Sequence, residues 1–160
     1  MVTDRPRDNV TWIHEHDPLP VRSWSDPLYD QLGFDPRSDY VETYWLVVLG
    51  PSAILVARRL ADWLDEHPTG LEVPLESLAR SLGLGASTAR HSTVVRTLAR
   101  LVDYGLAGVG GGSYLLRTAF PPLTRRHVTK LPDYLGQRHA DDMAQRPVGA
   151  PAGHPVEAGR

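Results

Sequence analysis

Arg96 and Arg100 stand four residues apart in the run TVVRTLARLVD, a spacing that places both guanidiniums on one side of an α-helix. Thr93 and Thr97 fall on the same outward face. Two planar cationic forks projecting together suit hydrogen bonding to guanine edges or to phosphate. Just upstream, a helix beginning at Ser92-Thr93 would offer free backbone N–H groups to a phosphate, with Arg90 and His91 adding charge. Arg117, Arg125, Arg126, His127 and Lys130 follow as further candidate phosphate contacts.

These side chains need an element to hold them outward. Val94, Val95, Leu98, Leu101 and Val102 recur at helical spacing and form a core stripe, which predicts a helix over about 92–104. Extending the stripe backward would bury Arg90 and His91, so the helix is expected to start near Ser92, with its hydroxyl as the cap. Gly105 ends it. Leu106 to Val109 and Ser113 to Leu116 then read as two short strands joined by the reversal Gly110-Gly111-Gly112, because a tight hairpin loop demands positive φ.

Upstream, Asp39 is the expected N-cap of a helix running to about Leu49, and Pro51 either kinks it or opens a second helix, which ends before Pro68. LEVP is long enough for one short strand. Leu75, Leu78, Ala79 and Leu82 share one face of a further helix, closed by Gly83. After Pro121, one or two helices are expected, the last beginning at Pro132. That helix packs back on the first long helix or meets its copy in a second subunit.

The order strand, helix, turn, helix, hairpin resembles the winged helix-turn-helix family of bacterial DNA-binding proteins. Leu78-Ala79-Arg80-Ser81-Leu82-Gly83-Leu84 is similar to the family's positioning helix and turn, and Thr93 to Leu101 to its recognition helix. Tyr104-Gly105-Leu106-Ala107 and the following hairpin look like the entry to its wing, at 106–117. The resemblance covers residues 71–117 and implies a mainly α fold with a small β-hairpin, double-stranded DNA as partner, and dimerisation. Two features depart from the family's pattern: the long connection from Leu84 to His91, and a wing tip of bare glycine without Lys or Arg.

Charge supports the same surface. Residues 86–130 carry seven cations and the single acid Asp103, whereas residues 1–85 carry seven cations and fourteen acids, so the formal net charge of −2 hides a strong segregation. Residues 1–38 hold five prolines, too closely spaced for a long helix, together with Trp12, Trp24, Tyr29 and Phe34; they read as an extended arm lying on a domain at 39–145. Residues 146–160 have almost nothing to bury and read as a disordered tail.

Other chemistry is weakly represented. The chain has no cysteine, which removes disulfides, thiolate metal sites and thiol nucleophiles. His14-Glu15-His16-Asp17 lies in the proline-rich stretch without a second ligand pair, so no metal is expected. The glycine run lacks a following Gly-Lys-Ser/Thr, so it is no phosphate loop. Neither a catalytic constellation nor a cofactor is expected. The uncharged stretch Tyr44 to Ala57 is shorter than the roughly 20 residues of a spanning helix and is broken by Gly50-Pro51, so it is expected in the core. The start lacks the order of a secretory signal, and a cytoplasmic location is expected. The resulting expectation is a DNA-binding transcriptional regulator. The competing one is a winged-helix interaction module whose basic face docks an acidic protein.

Overall fold

The computed structural model describes residues 8–146, so the expected tail at 146–160 lies outside the described residues except for Arg146. Among the described residues, eight α-helices and a four-stranded mixed sheet make a mainly α fold with a small β part. In chain order they are α1 (Asn9–Glu15), β1 (Leu19–Trp24), α2 (Pro27–Leu32), a π-helical turn (Val41–Trp45) running into α3 (Leu46–Leu49), and α4 (Pro51–Glu66). Then come β2 (Leu71–Val73), α5 (Leu75–Ser81), α6 (Thr93–Asp103), β3 (Ala107–Gly110), β4 (Ser113–Arg117), α7 (Arg125–Val128) and α8 (Asp133–Gln145).

The sheet order is β2-β1-β4-β3. Strand β1 pairs antiparallel with β2, Val21 opposite Leu71, and parallel with β4, Val21 opposite Tyr114 and Trp24 opposite Arg117. The segment expected as an extended arm on the domain surface therefore supplies an interior strand. Pro18 and Pro20 disguised it, since proline demotes a strand in a sequence reading. Pro20 is tolerated because β4 begins pairing only at Val21, leaving β2 as its one neighbour strand. Leu19 and Val21 alternate into the core, and Ile13 of α1 is fully buried with them.

Glycine and proline place the other boundaries as their backbones require. Gly50 has φ 85° and Pro51 opens α4 as its first residue, so the apolar stretch folds as two helices. Ala53, Ile54, Val56, Ala57, Leu60, Ala61 and Leu64 form the buried face of α4. The preceding helix is capped by Ser38, whose hydroxyl accepts from Val41 N at 3.4 Å, in place of the expected Asp39. In the hairpin, Gly110 pairs with Ser113 and only Gly111 and Gly112 take positive φ, 59° and 75°. The reversal is thus a two-residue turn rather than one spanning three glycines.

Trp45, Tyr44, Tyr114 and Phe120 fill the largest core positions. Their polar atoms are used internally: Trp45 Nε1 donates to Pro121 O at 2.8 Å and Tyr114 OH to Leu98 O at 2.9 Å. Helix α8 docks through a polar pair, Tyr40 OH hydrogen-bonded to His139 Nε2 at 2.7 Å, while the same hydroxyl accepts from Leu123 N at 2.8 Å. Within the chain, α8 packs back on the helix that starts after Ser38. No helix among the described residues is long and apolar enough to cross a membrane.

Candidate nucleic-acid interface

Helix α6 is held by its stripe, with Val94, Val95, Leu98 and Leu101 all fully buried. Its exposed positions are Thr93, Arg96, Arg100 and Asp103, a band bounded by buried Thr97 on one flank and buried Ala99 on the other. Thr97, expected on the outward face, is 7% exposed. The band is narrow because neighbours close on it from both ends. Helix α1 packs along α6, and Asn9 Nδ2 donates to Asp103 Oδ1 at 3.2 Å. The end of α3 meets it at Arg100.

Arg100 is not a free reader. Its Nε donates to Leu49 O at 2.9 Å and its Nη2 to Val48 O at 3.1 Å, so the guanidinium closes the C-terminus of α3, where a cation is also favoured by the helix dipole. The same group lies 5.1 Å from the centroid of the Tyr104 ring. Arg96 is different: exposed, with no hydrogen bond or ion pair among the described residues.

The helix start also departs from expectation. Arg90 is tied to α1, pairing with Asp8 and donating Nε to Thr11 Oγ1 at 3.0 Å. The hydrogen bond from Thr11, followed by that from Arg90, holds the Asp8 carboxyl below its usual range. Ser92 occupies the cap position, but its hydroxyl is buried and caps nothing. His91 and Thr93 are exposed.

Arg117 lies outside this surface altogether. It is 8% exposed, sandwiched between Trp24 at 3.7 Å and Tyr29 at 3.9 Å, with Nε donating to Gly105 O at 2.8 Å. The parallel β1–β4 register puts Trp24 opposite it, a partner that an arm lying outside the sheet would not supply.

Arg125, Arg126 and Lys130 are exposed on and just after α7, which Thr124 caps by accepting from His127 N at 3.3 Å. Arg126 and Lys130 continue the α6 band. One shallow depression holds Thr93, Arg96, Arg100, Asp103 and Tyr104; the next shares Asp103 and Tyr104 and adds Arg126, His127 and Lys130. Lys130 Nζ is 5.7 Å from the Tyr104 centroid, and the His127 ring lies at the same distance. Tyr104 is thus the hub of a cationic strip from Arg96 to Arg126. Its sequence signal was only an aromatic at a helix end, with nothing to say that residues 127 and 130 would return to it. Burial first, then the charges of Lys130 and Arg126, push the His127 imidazole below its ordinary 6.5.

No metal-binding group of His, Asp or Glu occurs among the described residues. His14 and His16 point to separate partners, Thr88 O at 3.0 Å and Trp12 O at 2.6 Å. Comparison with protein-family models, with curated proteins and with solved structures found no match to this chain.

Proposed function

We propose that the chain is a winged-helix DNA-binding regulator that meets duplex DNA with the α6–α7 strip. The observation that carries this reading is the continuity of the strip: Arg96, Arg100, Lys130 and Arg126 run past Tyr104, and the single acid among them, Asp103, is engaged by Asn9. A row of fixed cations along one face is the electrostatic footprint of a polyanion site. The order of β2, α5, α6 and the β3–β4 hairpin supports the winged-helix part of the reading.

The division of labour follows from which groups are free. Arg96, with Thr93 and His91 beside it, approaches base edges from the first half of α6. Arg125, Arg126 and Lys130 contact phosphates, and Arg100 contributes charge while staying on the α3 carbonyls. The N-terminal half of α6 leads, because Asp103, engaged by Asn9, and Arg100, held by the α3 carbonyls, occupy its far end. The wing tip, Gly111-Gly112, carries no cation and braces the sheet.

The narrowness of the exposed α6 band favours a second reading, in which the strip docks an acidic protein surface without entering a groove. Fluorescence-anisotropy titration with duplex DNA fragments at two salt concentrations separates the two. Duplex binding that weakens steeply with salt, and prefers fragments selected from genomic DNA, supports the first. Absence of binding at low salt removes it.

A further inference from the structure

We propose that the edge of β2 and the end of α4 form a groove that takes an extended segment of a partner protein as an added strand, with side chains in the order apolar, cationic, apolar. The groove has a volume of about 250 Å³, with Trp63 and Glu66 on one wall and Leu71, Glu72, Val73 and Pro74 on the other. β2 ends the sheet on its side, so one of its edges has no neighbouring strand. The pairing of β1 shows what that edge offers. Trp24 O accepts from Thr118 N at 3.3 Å, so Trp24, and with it Arg22 and Pro20, turn their peptide groups toward β4. Leu19 and Val21 turn theirs toward β2, where they face Val73 and Leu71. The N–H and C=O of Glu72 therefore point away from the sheet, and neither is hydrogen-bonded among the described residues. One residue of an extended chain satisfies both.

The side chains around the groove set which segment fits. Val73 is buried and Leu71 half-buried on the face that packs toward the core, whereas Glu72 projects from the opposite face into solvent. In a strand paired at Glu72, the residue directly opposite lies on that same face, with its Cβ about 5 Å away. A lysine or arginine there meets the Glu72 carboxylate, which has no hydrogen bond or ion pair among the described residues. Its two neighbours fall on the other face, against half-buried Trp63 and Leu71, and so are apolar. Glu66, equally without an ion pair among the described residues, adds a second carboxylate at the α4 rim. The same charge argues against a second copy of this chain, because two β2 edges paired about a two-fold axis at Glu72 oppose like charges. Pro74 has no N–H and ends the usable edge, so the contact is short and its affinity modest. The groove shares no residue with the α6–α7 strip, so loss of peptide binding and loss of duplex binding are separately measurable.

The test titrates the full chain, at constant ionic strength, into the fluorescein-labelled peptide STVKVTS and follows anisotropy. Saturable binding is expected below about 1 mM. Replacing the peptide's lysine by glutamate is expected to weaken binding about fivefold, through repulsion by Glu72 and Glu66. Methylating the lysine's backbone nitrogen is expected to weaken it about tenfold, because the bond to Glu72 C=O is lost. Glu72→Lys, at an exposed position, is expected to reverse the preference between the lysine and glutamate peptides while the protein melts as before. In NMR spectra the Glu72 amide, open to exchange in the free protein, is expected to become protected when the lysine peptide is added. No saturable binding of the lysine peptide by about 1 mM overturns the proposal. So does equal binding of the glutamate or N-methylated peptide, a Glu72→Lys variant that binds as the wild type does, or a Glu72 amide left unprotected.

Discussion

Arg96 on α6 and Arg117 on β4 carry the same side chain within one basic stretch of sequence, yet the fold gives them opposite roles. Arg96 stands in solvent with no hydrogen-bond or ion-pair partner among the described residues, on a strip whose neighbours are Arg100, Lys130 and Arg126. Arg117 is clamped between two rings at the end of the sheet and makes its one hydrogen bond inward. Arg100 and Arg90 fall between these extremes, on the surface but already bonded to α3 and α1. What separates them is whether a carbonyl, carboxylate or ring lies within reach, since charge and residue type are equal. A basic stretch thus overstates the number of arginines available to a partner.

The sharpest test of that contrast is Arg117→Ala. Loss of the stacked guanidinium and its bond to Gly105 should destabilise the protein by about 3 kcal/mol in urea unfolding. A loss within ~0.5 kcal/mol would mean that the two arginines do not differ as described. Arg96→Ala should do the reverse, leaving stability within ~0.5 kcal/mol while costing about 1–3 kcal/mol of affinity for a selected duplex. If its binding is unchanged, the reading of base edges by α6 is wrong.

Arg100→Ala sits between, with about 1–2 kcal/mol of stability lost from the two α3 carbonyl bonds. Its effect on duplex affinity should be smaller than that of Arg96→Ala. Arg126→Ala should weaken binding to all duplexes alike and flatten the plot of log K against log salt by about one unit of slope. A sequence-dependent loss would move Arg126 from the phosphates to the bases.

The smallest effect is electrostatic. Lys130 and Arg126 help to hold His127 below its ordinary 6.5, so a bound polyanion that offsets them should raise its pKa, as an NMR titration of the imidazole would show. In the free protein the sign for stability follows from linkage. His127 and His139 both lie below 6.5 when folded, mainly through burial, so between the folded value and 6.5 the unfolded chain binds more protons. Stability should fall as pH drops through that window and be fully present above it. An unfolding midpoint insensitive to pH below 6.5 would contradict the buried Tyr40–His139 pair as described.

Much of the local structure was written in short-range signals. The stripe from Val94 to Val102, the stops at Gly50, Gly83 and Gly105, and the hairpin glycines follow from helical periodicity and from φ values that only glycine adopts easily. Those signals act over a turn or two of chain, so one sequence carries them. Strand β1 was hidden by Pro18 and Pro20, and the buried flank of α6 at Thr97 was hidden because it depends on elements elsewhere in the chain.

The sequence alone therefore set the helices and the hairpin between residues 39 and 117, and concentrated cations in residues 86–130, but it read residues 1–38 as an extended arm where the structure has α1, β1 and α2. Tertiary structure alone decided that residues 19–24 enter the sheet between β2 and β4, and which arginines remain free. The physical reason is distance along the chain. The carbonyl that holds Arg100 belongs to a residue 51 positions earlier, and the ring opposite Arg117 lies on a strand that pairs with it only after folding.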